Sequence, residues 1–351
     1  MAYSTISKPS LHFNTKLYAG NNTGQSITGV GFEPSLTWIK SRTASERHVL
    51  TDAVRGVYKE LRSNETAAES DRTSYGGLSA FGADGFTVGG DDGYNNGSNN
   101  YASWNWKANG SGSANTDGSI NSTVSVNTTA GFSISKYTGT GSNATVGHGL
   151  SAAPKMILFR NLTNSSTAWN WGVYHKDIGA GNVLHLNNTE ALSSSATAFN
   201  STDPTTNVFS VGSWGGTNYS GDNIIAYCFA EKAGYSKFGS YRGNGNANGT
   251  FVYCGFKPAF IIVKRTNTTS DWQLMDNKRD PINAMDTNLF PNTSDVDTSS
   301  STYNTDFVSN GFKFRGTSGA RNGSGDTYIF MAFAEEPLVA NVGASIPATA
   351  R

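Results

Sequence analysis

The sequence predicts an all-β protein made of three tandem β-sandwich domains of the jelly-roll or lectin-like kind, each of about 100 residues. The first observation is a strand-like pattern that occurs three times, as GFEPSLTWIK at 31–40, GLSAAPKMILFR at 149–160 and GFKPAFIIVK at 255–264. The second is that short apolar runs alternate with turns rich in Gly, Asn, Ser and Thr, which is typical of β-sandwiches. The third is that no stretch keeps a sustained helical period; the nearest, at 51–71, is weakened by Gly56.

Each copy opens in the same way. A Tyr-x-Gly precedes a Gly-rich turn, then comes a proline, and a cation follows six residues after the proline. Proline suits the first residue of a strand because it cannot donate a hydrogen bond to a neighbouring strand. We expect the cation to end that strand at its solvent edge. The prolines are Pro34, Pro154 and Pro258, and the cations are Lys40, Arg160 and Lys264.

Each copy also closes in the same way, with apolar residues at every second position. This period predicts a strand with one buried face, and in the second and third copies the intervening Ala and Cys residues predict that both faces are covered. The alternating residues are Ala102, Trp104 and Trp106, then Ile225, Tyr227 and Phe229, then Ile329, Met331 and Phe333. Between the two ends, each copy has an Asp after an apolar stretch (Asp52, Asp177, Asp276) and a Leu near an Asn (Asn64, Asn187, Asn292).

These matches divide the chain into residues 1–109 with a short N-terminal arm, residues 110–233, and residues 234–351 with a short C-terminal tail. The Gly/Ser/Asn/Thr-rich stretch at 109–129 is typical of a linker, and a shorter junction falls near Ala233.

Composition excludes several classes of protein. Lys+Arg and Asp+Glu both number 26, which argues against a surface for nucleic acid or a polybasic membrane patch. The chain opens without the pattern of a signal peptide and has no apolar stretch of about 20 residues, so we expect no membrane insertion. Cys228 and Cys254 allow one disulfide at most, and we expect two separate buried thiols instead.

Motifs for enzymatic chemistry are absent from the sequence. There is no phosphate loop, no Gly-x-Ser-x-Gly and no His-Glu-x-x-His. The histidines do not repeat across the copies, so they are expected to be ordinary surface or turn residues; a metal shared by His175 and His185 is the alternative. Two further alternatives are calcium in the Asp/Asn-rich loop at 84–97 and a carboxylate pair acting on a glycan. We predict no catalytic residue, no metal and no cofactor.

Tryptophans are the best candidates for ligand contacts, because an indole ring can stack on a sugar. Trp38, Trp104 and Trp106 stand at positions that are apolar in all copies, which predicts the core. Trp214, in the Gly-rich stretch GSWGGTNYSG, is the strongest candidate for an exposed binding residue, together with Tyr219.

Several stretches resemble a family of uncharacterised virion proteins of marine bacteriophages, over the full length of the chain to the ending MAFAEEP. They read MAYSTISKPSLHFNTKLYAGN, GVGFEPSLTWIKSR, TDAVRGVYKELRSNETAAES, DGFTVGG, NYASWNWKA and GFSISKYTGTG. Members of that family are labelled structural, tail-fibre or concanavalin-A-like lectin proteins. The resemblance implies β-sandwich domains and a non-enzymatic role.

The function expected from these observations is a structural protein on the surface of a bacteriophage virion, as a capsid decoration, spike or tail-fibre component. The alternative is a lectin-like adhesin that binds a glycan receptor on the host. The expected partners are other copies of the chain, as a homotrimer or a larger symmetric array, and other virion proteins. The neutral, polar surface predicts self-association, because it lacks charge repulsion between copies. The expected location is the virion, assembled in the host cytoplasm.

Overall fold

The all-β fold class is confirmed by the computed structural model, which describes residue 4 and residues 6–337. We keep the divisions above as segment 1 (1–109), segment 2 (110–233) and segment 3 (234–351). Strands in segment 1 are β1 Phe13–Ala19, β2 Gln25–Thr28, β3 Leu36–Ser41, β4 Val49–Asp52, β5 Lys59–Glu60, β6 Ser70–Asp71, β7 Leu78–Gly82, β8 Gly85–Val88 and β9 Asn100–Trp106.

Segment 2 contains ten strands and segment 3 contains nine within the described residues. Those of segment 2 are β10 Ser113–Asn115, β11 Ser122–Asn127, β12 Phe132–Thr138, β13 Ala144–Gly147, β14 Met156–Asn161, β15 Gly172–His175, β16 Asn182–His185, β17 Ser193–Ser194, β18 Val208–Val211 and β19 Asn223–Phe229. Those of segment 3 are β20 Ser236–Arg242, β21 Phe251–Tyr253, β22 Phe256–Arg265, β23 Gln273–Asp276, β24 Thr287–Asn288, β25 Thr298–Ser299, β26 Thr305–Val308, β27 Gly311–Phe314 and β28 Thr327–Pro337.

Helical structure in the described residues is limited to single turns. Each segment has one four-residue α-helix just before its last strand: α1 Asp92–Asn95, α2 Gly215–Asn218 and α3 Gly319–Asn322. Three 3₁₀ turns lie at Pro9–Leu11, Thr73–Tyr75 and Ser301–Tyr303.

The main sheet has the same antiparallel strand order in every segment. The order is β1-β9-β3-β4 in segment 1, β12-β19-β14-β15 in segment 2 and β20-β28-β22-β23 in segment 3. The closing strand of each copy is therefore an inner strand, and both of its faces are buried, as the sequence predicted for segments 2 and 3. In segment 2 the sheet is longer, because β10-β11 and β16-β17 continue it on either side.

The three main sheets face one another across a shared central core. Trp106, Phe229 and Phe333 hold the same place in β9, β19 and β28, and their rings form a triangle. The ring centroids are 6.2 Å apart for Trp106 and Phe229, 6.1 Å for Phe229 and Phe333, and 5.9 Å for Trp106 and Phe333. Nearly equal sides place a local threefold axis at this triangle. Burying such aromatic side chains contributes roughly 1.5–3 kcal/mol each.

A second, outer core in each segment lies between the main sheet and a small sheet. The small sheets are β2-β8-β7, β13-β18 and β21-β27-β26. Phe86, Phe209 and Phe312, from the strand of the small sheet that precedes each helix, contribute to the outer cores. Each segment is thus a sandwich whose inner face is shared with the other two. Whether each segment also folds as a separate domain stays a prediction.

Three expectations about local structure were wrong, and one was confirmed. Residues 109–129 contain β10 and β11 rather than only linker, because Val124 and Val126 alternate against β12. The stretch 51–71 has no helix, as expected, because it turns at Gly56, which has a φ of 98°, and continues into β5 and β6. Pro34 and Pro154 each precede their strands by two residues, and Pro258 lies inside β22 at a bulge. The three cations are buried rather than at the solvent edge.

Candidate functional site

The junction between segments 1 and 2 contains a fully buried ion pair. Asp52 ends β4, and its Oδ1 accepts hydrogen bonds from the backbone N–H groups of Val54 (3.0 Å) and Arg55 (2.9 Å). Its Oδ2 accepts hydrogen bonds from the Arg55 guanidinium and from the Tyr227 hydroxyl of β19, at 2.8 Å. The two residues of this pair are only three positions apart in the sequence. The sequence did not reveal that a neighbouring segment completes it.

The junction between segments 3 and 1 has the same construction. Asp276 ends β23, binds the backbone N–H of Arg279 at 2.9 Å and its guanidinium at 2.6 Å, and accepts a hydrogen bond from the Trp104 indole at 3.1 Å. Trp104 occupies in β9 the position that Tyr227 occupies in β19. A carboxylate at a strand end is therefore held by its own arginine and by a donor from the next segment.

The junction between segments 2 and 3 replaces this ion pair with a histidine. His175 ends β15, and its Nδ1 accepts a hydrogen bond from the backbone N–H of Asp177 at 3.2 Å. Its Nε2 lies 3.3 Å from the backbone oxygen of Phe330 in β28. These partners assign a neutral ring that carries its proton on Nε2. The position equivalent to Asp52 and Asp276 is thus His175, and not Asp177 as the sequence comparison suggested.

Burial accounts for the titration behaviour of this histidine. It lowers the pKa of His175 to about 4, while the nearby Asp177 carboxylate and the Phe330 carbonyl act in the opposite direction. Protonation of His175 Nδ1 would also place its new N–H against the backbone N–H of Asp177, which repels it. His175 therefore serves as a neutral structural group at neutral pH.

A second set of contacts joins the segments at the other end of the sheets. In each case a backbone N–H donates to a backbone oxygen of the next segment. The bonds are Glu69 to Leu162 (2.9 Å), Leu192 to Thr266 (2.8 Å) and Asp297 to Arg42 (2.9 Å). The donor of each bond lies in a loop of one segment. The acceptor lies in the next segment, two positions after the repeated cation Arg160, Lys264 or Lys40. Because the third bond joins segment 3 to segment 1, the chain closes into a ring.

The repeated cations stabilise these loops from within. The Lys264 ammonium donates to the backbone oxygens of Thr189 (3.0 Å) and Ser270 (2.5 Å), and Thr189 belongs to segment 2. The Arg160 guanidinium donates to the backbone oxygen of Ala67 in segment 1. Burial lowers the pKa of Lys264 to about 8 and that of Arg160 to about 10. These cations hold neighbouring backbone and are not presented to solvent.

Trp214 and Tyr219, the predicted binding residues, flank α2 and belong to a half-buried aromatic cluster. The Trp214 ring lies 6.2 Å from Trp169, in an edge-to-face arrangement, and 5.6 Å from His185. Tyr219 lies 6.2 Å from Trp169. The structure therefore brings Trp214 and Tyr219 together through Trp169, which the sequence analysis did not single out.

The two glycines of α2 make room for this aromatic cluster. A Cβ on Gly215 would lie 2.2 Å from the Trp169 ring, and one on Gly216 would lie 2.3 Å from the Trp214 ring. A Cβ on Gly172 would lie 2.8 Å from the Trp214 ring. The two glycines that follow Trp214 in the sequence could have predicted that an aromatic ring packs against the backbone here.

Each junction opens outward into a cleft. The volumes are about 390 Å³ between segments 1 and 2, about 500 Å³ between segments 2 and 3, and about 350 Å³ between segments 3 and 1. The residue two positions after the junction residue lines each cleft, and it is Val54, Asp177 and Lys278 respectively. Because one side chain is apolar, one acidic and one basic, the clefts are not three copies of one ligand site.

The carboxylates considered for calcium or glycan chemistry have partners inside the protein. The Asp84 carboxylate accepts hydrogen bonds from the backbone N–H groups of Gly29 (2.9 Å) and Gly31 (2.7 Å). Asp91 caps α1 and pairs with Arg47 and Arg72. These contacts hold loops and leave no open pair of carboxylates at this place.

Four of the five histidines and both cysteines are placed as core residues. His48, His148, His175 and His185 are all buried, so the expectation of surface or turn histidines was wrong for these four. Within residues 6–337 no three His, Cys, Asp or Glu side chains are grouped to hold a metal. Cys228 and Cys254 are separate buried thiols in different outer cores. The helices of that same part of the chain are too short to span a membrane.

Comparison with known proteins identifies a family. A family model described as a domain of unknown function, DUF7483, matches residues 8–337, which include all three segments. Searches of curated proteins and of solved structures found no significant match. Since the family model covers most of the sequence, the chain belongs to the DUF7483 family.

Proposed function

We propose that this protein is a non-enzymatic structural protein exposed on the surface of a bacteriophage particle, as a decoration, spike or tail-fibre component. The observation that carries the proposal is the closed ring of segments. The buried charged groups at the junctions, Asp52, Arg55, Asp276 and Arg279, bond to one another and to neighbouring segments. Because these side chains are already bonded inside the protein, they fit a structural role better than a catalytic one.

The resemblance of the sequence to virion proteins of marine bacteriophages supports the same role. A ring closed by contacts between the first and third segments resists local opening, since opening one junction strains the other two. Such resistance suits a protein exposed outside the cell. In this proposal the partners are other virion proteins and other copies of the chain, expected as a homotrimer once assembled on the particle.

Binding of a host-surface glycan is the second candidate. The aromatic cluster of Trp169, Trp214 and Tyr219 favours it, because half-exposed aromatic rings can stack on the apolar face of a sugar. The cluster belongs to segment 2 alone. An adhesin would therefore use one site on each chain.

Phage particles that lack the protein separate the two roles. Particles that remain intact but do not adsorb to the host would identify a receptor binder. Particles that adsorb normally but lose their DNA on mild heating would identify a decoration protein. Finding that purified particles never contain the protein would reject both roles.

A point variant sharpens the adhesin role. Tyr219→Ala is expected to reduce adsorption at least tenfold if the aromatic cluster binds the receptor. Tyr75→Ala is the matched control, since Tyr75 is 63 % exposed and lies in segment 1, away from the cluster. Equal adsorption by both variants would exclude the cluster as the receptor site.

A further inference from the structure

An exposed aromatic pair lies on the edge strand of the small sheet in segment 3. Phe251 and Tyr253 in β21 are 44 % and 58 % exposed, and Val252 between them is buried. The other large apolar side chains exposed within residues 6–337 lie in loops or 3₁₀ turns: Leu11, Tyr75, Ile282 and Val296. The pair on β21 is therefore a feature of a strand and not of a turn.

The backbone of the same two residues points away from the sheet. β21 pairs with β27 through Val252, and the flanking bonds run from Phe314 N–H to the Thr250 oxygen (3.1 Å) and from Cys254 N–H to the Asn310 oxygen (2.9 Å). Since alternate residues face opposite edges of an antiparallel strand, the N–H and C=O of Phe251 and Tyr253 face outward. Among the described residues, no other strand pairs with this edge.

The equivalent edge in segment 2 is occupied by a piece of the same chain. β13 corresponds to β21, and Thr145 stands where Phe251 stands. The Thr145 backbone oxygen accepts a hydrogen bond from the Ile120 N–H at 2.9 Å, and Ile120 forms a parallel bridge to Val146. This edge therefore accepts a backbone hydrogen bond from another piece of chain.

In the part of the chain that the structure describes, the equivalent edge in segment 1 has neither a paired piece of chain nor aromatic residues. Ser26 and Thr28 of β2 take the places of Phe251 and Tyr253, and both are exposed. Small polar residues on an unpaired edge offer nothing apolar to a partner. Of the three edges, the one in segment 3 combines unpaired backbone with apolar side chains.

We propose that the β21 edge is an interface between two copies of this chain, paired antiparallel about a twofold axis at Val252. In this register Phe251 of one copy lies opposite Tyr253 of the other. The two residues exchange both backbone hydrogen bonds, so all four outward groups of each copy are satisfied. Each aromatic ring also meets one from the second copy on the same face of the extended sheet.

Charge does not oppose this pairing. The stretch 243–255 has no charged residue, so two copies meet without like charges across the interface. The edge is thus complementary to itself.

The pairing is expected to be weak. The two aromatic side chains of each copy provide roughly 200 Å² of surface for burial, whereas stable interfaces bury about 800 Å² per partner. We therefore expect dimers of the isolated protein only above about 100 μM, and stronger pairing where copies are held side by side. The interface is tested on the isolated protein, so it is independent of the proposed virion location.

Sedimentation equilibrium of the intact protein between 20 μM and 1 mM tests the interface. We expect a monomer–dimer equilibrium for the unmodified chain, and at least tenfold weaker dimerisation for Phe251→Lys and for Tyr253→Lys. Ser26→Lys and Thr28→Lys, at the equivalent edge of segment 1, are the matched controls and are expected to dimerise normally. A thermal unfolding midpoint unchanged in all four variants shows that they fold.

Amide hydrogen exchange gives a second readout at the level of residues. Protection of the Phe251 and Tyr253 amides is expected to rise with protein concentration, while that of Ser26 and Thr28 stays constant. A chain that stays monomeric at 1 mM would overturn the inference, as would dimers that the lysine substitutions leave unchanged. Monomers that bind an oligosaccharide through Phe251 would assign the aromatic pair to a glycan instead.

Discussion

The junction between segments 2 and 3 differs from the other two in how it satisfies the end of a strand. At the other junctions an aspartate is neutralised by its own arginine and receives a donor from the next segment, Tyr227 or Trp104. Here the neutral His175 bonds to backbone alone, and Met331 replaces the aromatic donor. The same geometry is therefore compatible with a buried ion pair and with no charge.

The backbone turn, and not the charge, is the element that the three junctions share. Asp52, Asp276 and His175 all accept a hydrogen bond from the N–H two residues later. A carboxylate in this place must be neutralised because it is buried, which explains the arginine three residues on. A histidine needs no such partner while it is neutral, and Ile178 stands where the arginines stand.

The largest expected effect is on the junctions that contain an ion pair. Asp52→Ala leaves the Arg55 guanidinium buried without its main counter-charge, and we expect a loss of about 3–5 kcal/mol in the free energy of unfolding. His175→Ala removes a neutral group, and we expect a loss of about 1–3 kcal/mol. Urea denaturation at pH 7 measures both. Equal losses would mean that charge does not distinguish the junctions.

An intermediate effect is expected from acid. Burial lowers the pKa of both His175 and His148 to about 4, below the value of about 6.5 for the unfolded chain. Above pH 6.5 the rings are neutral in both states and stability is unaffected. As the pH falls from 6.5 to 4, the unfolded chain binds protons that the folded protein does not. Each ring then reduces stability, by about 2–3 kcal/mol at pH 4.5.

This acid effect can be assigned to the histidine junction. His175→Asn keeps an acceptor for the Asp177 N–H but removes the titrating ring, so the loss of stability between pH 7 and pH 4.5 is expected to shrink. His12→Asn is the control, because that ring is only half-buried. If the two variants lose stability to the same extent as the unmodified protein, His175 is not an acid-sensitive group.

The smallest expected effect concerns the donor from the next segment. Tyr227→Phe removes one hydrogen bond to the Asp52 carboxylate, and we expect a cost of about 1.5–3 kcal/mol, as for other bonds to charged groups. Met331→Leu, at the equivalent place in segment 3, is expected to cost less than about 1.5 kcal/mol. Thermal unfolding of both variants compares them. A Met331 variant as unstable as the Tyr227 variant would show that packing, and not the polar contact, dominates at this position.

Much of the fold could be predicted from the sequence, because the information is local. Alternating apolar residues predicted β9, β19 and β28, and their inward faces carry Trp106, Phe229 and Phe333. The Asn residues at repeated positions share one structural role. In each segment the side-chain oxygen of this Asn accepts a hydrogen bond from the backbone N–H of the residue just before β4, β15 or β23. The three residues are Asn64, Asn187 and Asn292. A pattern copied within one chain identifies such positions before their contacts are known.

The candidate site was harder to predict from the sequence than the fold. Trp214 and Tyr219 were chosen because they lie in a Gly-rich stretch, which predicts exposure. The structure instead packs Trp214 against Trp169, a residue 45 positions earlier, and leaves both predicted residues half-buried. The stacking depends on how two loops meet, and residue type alone does not specify that.

The sequence by itself determined which residues alternate, where strands turn and that the pattern occurs three times, since these depend on side-chain polarity and backbone preference over a few residues. Only the tertiary structure decided that Lys40, Arg160 and Lys264 are buried, because backbone carbonyl groups replace the water that a cation loses. It also decided that segment 3 closes onto segment 1 through Asp297 and Arg42. Ring closure joins residues 255 positions apart, a relation that no local pattern encodes.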